Sequence, residues 1–286
     1  MKFFLLIPVY NDWNSLKILL LKIYKSFYNA KIFNVVILND NSTKSFNIKK
    51  KVINKFNSFI ILNIKKNIGS QRAIAVGLNF ISKKHKYFKI LIMDADGEDN
   101  PLLINKIIKK SNEYPNDAIV VFRTKRKENF LIKLFYELHI LICFILSGQI
   151  VRFGNFSLIN HIHVKNLITD SSLWFAYSSS VKKKVKNFKK IFAEKNKRYV
   201  DKSNLSYFDL FNHSLRILIP FKEKIIICSA IYLFFFIFFI KKEFLIYLSL
   251  LIFFFINSLI YIYYFFTIRK KPITLFSLIN NVKNIK

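Results

Sequence analysis

The chain has 286 residues, 47 of them Lys or Arg against 16 Asp or Glu, for a formal net charge of +31, and 53% of it is hydrophobic. That length allows one catalytic domain of about 200 residues plus an appendage. So positive a charge invites nucleic acid, but no nucleic-acid-binding motif is present, and the basic bias runs through the whole chain alongside 33 Phe and only five Gly and five Pro. Cys143 and Cys228 lie in apolar runs and read as small buried hydrophobes, not as a disulfide or a metal pair.

Phe3–Val9 is a seven-residue apolar run followed at once by Asn11-Asp12. With no small-residue cleavage site it reads as a first buried strand and not as a signal peptide. Apolar residues at helical spacing predict a helix over Ser15–Phe27. Phe33–Leu38 and Phe59–Ile64 predict the next two strands, the first ending in Asn39-Asp40-Asn41-Ser42-Thr43. Gly69-Ser70 opens a helix over Gln71–Ile81, and Tyr87–Met93 is a fourth strand. Pro101 starts a helix over Leu102–Ile108, and Ala118–Phe122 is a fifth strand, ending at Arg123. Continuously apolar strands alternating with helices predict an α/β fold, a mostly parallel sheet with helices on both faces.

The fourth strand runs into Asp94, Asp96, Glu98 and Asp99. Carboxylates this close repel one another, so a positive group should hold them. A hard divalent cation with oxygen ligands fits, and Mg²⁺ takes one or two protein carboxylates plus phosphate oxygens. Asp12, Asp40 and Arg123 also follow strand ends, where open α/β sheets bind ligands. There is no Gly-x-Gly-x-x-Gly after the first strand and no Gly-Lys-Ser/Thr loop, which excludes dinucleotide and P-loop readings. A metal–diphosphate site for a nucleotide-sugar remains.

Phe244–Ile268 is 25 residues without a charge, long enough at about 1.5 Å per residue for a hydrocarbon core of roughly 30 Å. Ile225–Ile240 is 16 apolar residues, and Lys222, Glu223 and Lys224 separate it from Ile217–Phe221. Ile225–Ile240 either spans with snorkelling lysines or lies partly in the interface; we expect a C-terminal transmembrane helical hairpin whose short loop faces out, which by the positive-inside rule keeps the N-terminal domain and the tail in the cytoplasm. The expected division is a catalytic domain over 1–215, a two-helix anchor over 216–271 and a cytoplasmic tail over 272–286. Phe130–Leu146 is apolar with Lys133, Glu137 and His139 spaced along it, and suits a core helix or one lying on a membrane. Ten basic residues fall between Lys182 and Lys202; attraction to anionic lipid is the favoured reading over a solvated face. His161-x-His163 has no third ligand nearby, and Gln149–Phe153 carries no separate function.

Four segments now join in order: Ile7-Pro8-Val9-Tyr10-Asn11-Asp12, Leu38-Asn39-Asp40-Asn41-Ser42, Asn67 through Leu78, and Met93-Asp94-Ala95-Asp96-Gly97-Glu98-Asp99-Asn100-Pro101. Together they resemble the GT-A, family-2 glycosyltransferases over roughly residues 3–160. More narrowly they are similar to the polyprenyl-phosphate branch that includes dolichol-phosphate mannose synthase. The resemblance implies that Pro8, Tyr10, Asp12, Asp40, Arg72 and Asp94 hold the donor, a nucleoside-diphosphate sugar. It implies that the Asp-x-Asp pair Asp94 and Asp96, with Glu98, surrounds Mg²⁺ or Mn²⁺. Arg123, Arg198, Lys202 and Ser203 are implied for the acceptor phosphate, with Arg123 and Arg198 also counted among the catalytic residues. The implied reaction is inverting transfer to a polyprenyl (undecaprenyl) phosphate at the inner membrane by a multi-pass protein, with no nucleic-acid partner and the oligomeric state open.

The sequence departs from the family pattern at several places. Asn39 and Asn41 replace an Asp and a Gly, and Arg198–Asn204 keeps only Arg and Ser of an Arg-x-x-Gly-x-Ser-Lys signature. Gly154-Asn155-Phe156-Ser157 stands where the family has Gly-Asp-Phe-Arg. An amide cannot take a proton, so Asn155 fits either a repurposed protein or an acceptor that needs no base. A phosphate monoester, whose second pKa is about 6, is such an acceptor. Transfer to a growing surface glycan and a non-catalytic GT-A module are the other readings.

Overall fold

Continuous apolar runs build the centre of the sheet. The computed structural model describes residues 1–27, 29–124, 130–200, 207–240 and 242–286. Its elements in chain order are β1 (Lys2–Val9), α1 (Trp13–Ser26), β2 (Phe33–Asn39), α2 (Lys50–Ile53), β3 (Ser58–Ile64), α3 (Ser70–Lys84), β4 (Phe88–Ile92), α4 (Ile104–Glu113) and β5 (Ala118–Arg123). They continue with α5 (Phe130–Ser147), β6 (Phe153–Asn160), α6 (His161–Ile168), α7 (Tyr177–Lys184), β7 (Phe188–Ala193), α8 (Tyr207–Leu218), α9 (Lys222–Phe239), α10 (Glu243–Ile268) and β8 (Ile279–Asn284).

The eight strands form one sheet in the order β7-β5-β6-β4-β1-β2-β3-β8. β1, β2, β3 and β4 are parallel, β6 runs antiparallel between β4 and β5, and β8 pairs antiparallel with β3. Side chains alternate across the sheet. Leu5 and Ile7 of β1 meet Leu16, Leu20 and Ile23 of α1 in one core that also takes in α2 and α4. Leu6 points to the other face, where α3 packs so closely that a Cβ on Gly77 would lie 2.7 Å from it. With α6 and α7 on that face as well, both faces are covered, as apolar parallel strands require.

Strands β6, β7 and β8 escape the apolar-run criterion. β6 carries Gly154, Asn155 and Ser157, and its buried polar groups are hydrogen-bonded: Ser157 meets the Tyr177 hydroxyl at 2.7 Å. β7 and β8 are edge strands, where lysines and asparagines discourage further pairing. The α4 helix also runs past its expected end to Glu113, because Ile104, Ile107 and Ser111 continue one buried face.

The chain divides into two units that differ from the expected linear partition. One comprises Met1–Lys127, Phe153–Asn204 and Pro272–Lys286; the other comprises Glu128–Arg152 and Leu205–Lys271. The tail is therefore no separate segment, since β8 completes the sheet of the first unit.

In the second unit α5, α8, α9 and α10 come together. A short link joins α9 to α10, and they pack antiparallel: Lys222 lies over the Tyr264 ring at 4.8 Å, and Asn257 Nδ2 donates to Ser229 Oγ at 3.0 Å. Of the described helices, α10 alone is long and apolar enough to cross a membrane. The α9 helix is 18 residues long and opens with Lys222, Glu223 and Lys224. In α5, Ile140 and Cys143 are buried while Leu134, Phe135, Leu138, Leu141, Ile142, Phe144 and Ile145 are exposed. Cys143 and Cys228 are free thiols, the second only half-buried.

Candidate active site

The chain lays down β1, β2 and β3 in one direction, then returns to place β4 on the other side of β1. At such a reversal the loops after neighbouring strands part and leave a crevice outside their carboxyl ends. Tyr10–Asp12 and Asp94–Asp99 leave the carboxyl ends of these two neighbouring parallel strands.

The loop after β4 is a knot of charge. Asp99 is buried, and its Oδ2 accepts from the Asp94 backbone N–H at 3.0 Å. Asp96 Oδ1 accepts from the Glu98 N–H at 3.0 Å. Gly97 turns the loop with φ +90°, and a Cβ there would sit 2.6 Å from the Tyr199 ring. Three cations from distant parts of the chain close on the knot. Arg123, the last residue of β5, reaches Asp99 at 3.3 Å and Glu98 at 3.8 Å. Arg198 reaches Asp96 at 3.1 Å and Glu98 at 2.9 Å, and Lys195 reaches Glu98 at 3.0 Å. Backbone hydrogen bonds from Asn196 N–H to Glu98 and from Tyr199 N–H to Asp96 strap the 195–199 segment onto the loop.

The carboxylates respond unequally. Burial, then the charge of Asp99, pushes Asp94 up to about 6. Burial, then Asp94 and Glu98, pushes Asp96 up to about 6 as well. Glu98 is raised by burial but falls below its ordinary value, because the Arg198 hydrogen bond, Lys195 and Arg123 together outweigh it. Burial raises Asp99 despite Arg123. Burial is thus the main reason that Asp94 and Asp96 are raised, and the four carboxylates of the loop meet three cations, Arg123, Lys195 and Arg198.

An all-oxygen donor pair of this kind fits Mg²⁺ or Mn²⁺. Among the described residues no three His, Cys, Asp or Glu side chains converge as a ligand group. Glu98 shows why: both of its oxygens are turned to Arg123, Lys195 and Arg198. The residues that fit a metal are Asp94 and Asp96.

The loops after β1 and β2 are laced in another way. Asn11 adopts φ +55° and Asn41 φ +60°, a left-handed region that Asn tolerates better than other residues bearing a Cβ; Asn41 thereby replaces the family's Gly at modest cost. Asn11 Oδ1 accepts from the N–H groups of Thr43 and Lys44. Asn39 Oδ1 accepts from Ser42 N–H, and its amide donates to Asn63. Asp12 caps α1 by accepting from Ser15 N–H at 3.2 Å. Asp40 is buried and accepts from the N–H groups of Ile68 at 2.9 Å and Gly69 at 2.8 Å. It is therefore more than a local turn residue: it ties the loop after β2 to the start of α3. Burial raises its pKa against those two hydrogen bonds and the charge of Arg72. Pro8 is buried within β1, while Tyr10, the first residue after that strand, is exposed.

Near the start of α3, Arg72 stacks over the Trp174 ring at 4.9 Å. Its neighbour Gln71 donates to Asn155 Oδ1 at 2.9 Å, and Asn155 Nδ2 donates to Asp94 Oδ1 at 2.9 Å. Gly154 leaves room for Arg123, whose Nη2 would lie 3.4 Å from a Cβ at that position.

Lys202 and Ser203, expected at the acceptor phosphate, lie outside the described residues. Lys195, Tyr199 and Gln71 were not singled out for the site, because nothing local marks a lysine in a lysine-rich run as the partner of a glutamate 97 positions away. Within the basic run from Lys182, Lys183 and Lys184 pair with Asp170, Lys189 pairs with Asp117, and Lys195 with Glu98. His163 bonds to the Asn116 carbonyl and His161 packs against Tyr87, so the His-x-His pair serves packing.

Comparison with known proteins agrees with this geometry. Residues 4–181 match the model of glycosyl transferase family 2. An uncharacterised protein of Methanocaldococcus jannaschii is 30% identical over 122 residues, 41% of this chain and 50% of that protein. An uncharacterised glycosyltransferase of Synechocystis is 25% identical over 141 residues, 46% of this chain and 42% of that protein. The chain thus matches about half the length of these curated relatives. The crystal structure of Mycobacterium tuberculosis glucosyl-3-phosphoglycerate synthase, in complex with Mn²⁺, UDP and phosphoglyceric acid, superposes with a TM-score of 0.53 at 10% identity, covering 78% of each chain. That likeness shows the fold, a GT-A sheet with helices on both faces. With its family match spanning most of the sheet, the chain belongs to glycosyl transferase family 2.

Proposed function

We propose that the chain is a membrane-anchored glycosyltransferase that moves a sugar from a nucleoside-diphosphate sugar to a polyprenyl phosphate, with inversion at the anomeric carbon. The observation that carries this reading is the carboxylate loop with Asp94 and Asp96, four acids against three cations, following β4 where the strand order reverses. The nucleotide lies over the loops after β1 and β2, framed by Tyr10, Asp12, Asp40 and Arg72. Asp94 and Asp96 would hold Mg²⁺ or Mn²⁺, which when bound neutralises the diphosphate leaving group. Arg123 and Arg198, which pair with Asp99 and Asp96, are proposed to take phosphate oxygens as partners as well; Lys202 and Ser203 are proposed to assist. Arginine suits this exchange because its planar fork matches carboxylate and phosphate alike.

The acceptor follows from Asn155. Its amide oxygen is committed to Gln71 and its nitrogen donates to Asp94, so it takes no proton from an incoming hydroxyl. An acceptor phosphate is largely anionic near neutral pH and needs no base. One of its oxygens attacks the anomeric carbon, the bond from that carbon to the diphosphate oxygen breaks, and the nucleoside diphosphate leaves with the electron pair.

Membrane attachment is supported by connectivity. The segments flanking 205–271 belong to one sheet, since β8 pairs with β3, and one sheet lies on one side of a bilayer. A chain that crosses at α10 would need a second crossing within 205–271; α9, shorter than α10 and charged in its first turn, is proposed for it, with Lys222 and Lys224 reaching the interface. The positive-inside rule places the sheet on the cytoplasmic side of the inner membrane.

The test is transfer by detergent-solubilised full-length protein given undecaprenyl phosphate, Mg²⁺ or Mn²⁺, and radiolabelled UDP- and GDP-sugars. The expected result is metal-dependent label in extractable lipid. Label passing only to a glycan acceptor would overturn the lipid-phosphate assignment, and absence of both transfer and nucleotide-sugar binding would overturn the enzyme.

A further inference from the structure

We infer that Gln71 and Asn155 form a one-way hydrogen-bond relay that fixes Asp94 as a metal-binding carboxylate; the inference rests on the proposed metal site. Its origin is the register of the sheet. In the antiparallel β4–β6 ladder Ile92 pairs with Ser157, so two residues further on, position 155 stands opposite Asp94. Asn155 is buried, and a buried side-chain amide needs partners for both its ends.

The direction of the relay is set by a group that cannot reverse. The backbone N–H of Tyr177, at the start of α7, donates to Gln71 Oε1 at 2.8 Å. A main-chain N–H only donates, so Gln71 must turn its oxygen there and its NH₂ to Asn155, which it reaches at 2.9 Å. Asn155 then has its oxygen occupied and presents its NH₂ to Asp94 Oδ1, again at 2.9 Å. β6 is held from below as well, since the Ser157 hydroxyl donates to the Asn155 carbonyl and meets the Tyr177 hydroxyl. Three elements thus converge to aim one donor at one carboxylate oxygen. A carboxylate at 155 would aim a second negative charge at Asp94 in the same place. The amide at 155 is therefore a positioning group, and Gln71 acts through it. Partners behind a metal ligand of this kind change metal affinity about ten- to a hundredfold when they are altered.

The test uses the full chain in detergent and reads Mn²⁺ binding by electron paramagnetic resonance, with thermal melting in parallel. Gln71→Glu keeps the acceptor for Tyr177 N–H but offers Asn155 only a second acceptor. Asn155 must then swing its NH₂ to position 71 and its oxygen toward Asp94. The expected result is Mn²⁺ affinity at least about tenfold weaker, read at a temperature where the melts show both chains folded. Gln71→Met removes the orienting group without reversing it, and is expected to weaken Mn²⁺ less than Gln71→Glu. A merely structural Gln71 would give the opposite ranking for Mn²⁺. In the Asn155→Leu background, Gln71→Glu should add nothing further. Equal binding by wild type and Gln71→Glu, the reverse ranking, or a full Gln71→Glu effect on Asn155→Leu would overturn the relay alone. A wild-type chain that takes up no Mn²⁺ would overturn the metal site together with the relay.

Discussion

The two sides of the crevice satisfy their polar groups by opposite means. After β1 and β2, the loops are closed by their own neighbourhood: Asn11 and Asp40 accept backbone N–H groups from adjoining segments, and Asn39 accepts one from Ser42 in its own loop. After β4, the loop holds more negative charge than its backbone can satisfy, and arginines and a lysine come from as far as position 198 to meet it. The first side is closed by backbone hydrogen bonds, although burial still raises Asp40. The second is held by long-range ion pairs and still leaves Asp94 and Asp96 protonating more readily than ordinary carboxylates. A binding surface and a reactive centre are thereby divided between two loops of one sheet, and only the second is poised to exchange its partners for a ligand.

The sharpest way to break this contrast is to remove the uncompensated charge. Asp96→Ala should lower transfer by about a thousandfold or more while the circular dichroism and melting of the chain stay near wild type, because a partly exposed carboxylate crowded by others is relieved by its loss. Retained activity would remove Asp96 from the site. Next, Arg123→Met leaves Asp99 buried without its cation, and denaturant melts should show a loss of about 3 kcal/mol, as for other broken buried pairs. Arg198, whose side chain is one-third exposed, should cost under about 1 kcal/mol on the same substitution and act mainly on transfer.

Acidification should separate the two sides as well. Asp94 and Asp96 carry pKa values raised to about 6 from an ordinary 3.8. A raised carboxylate penalises the folded state once it is ionised, so the metal-free chain should be most stable below about pH 4 as far as these two groups decide it, losing that share as pH rises through 6. Mn²⁺ binding runs the other way because ligands must be deprotonated. Affinity should fall about ten- to a hundredfold between pH 7 and pH 5, and calorimetry across that range checks it. The smallest effect belongs to the laced side: Asn41→Ala, at φ +60°, should cost about 1 kcal/mol and leave Mn²⁺ affinity unchanged.

Legibility in the sequence followed the same division. β1 to β5 announce themselves because strands buried on both faces are uninterrupted runs such as Leu5-Leu6-Ile7. The acidic loop and the crevice follow from where those runs stop. β6 is hidden because Asn155 and Ser157 look like loop residues until their partners Gln71, Asp94 and Tyr177 are placed around them. β7 and β8 are hidden because edge strands are spared burial on one side. The cations at 195 and 198 were visible as residues but not as partners of Glu98 and Asp96, since pairing across about a hundred positions is a property of the fold. The pairing of Ile279–Asn284 with β3, inside the segment expected as a cytoplasmic tail, is hidden for the same reason.

The most direct measurement of the central claim is calorimetric titration of the full chain with UDP and GDP, first with Mn²⁺ and then with EDTA. The account predicts that one nucleotide binds in the presence of Mn²⁺, and that EDTA or Asp96→Ala abolishes the binding. Equal nucleotide affinity in EDTA and in the Asp96→Ala chain would contradict it, because the two carboxylates would then have no part in holding the diphosphate.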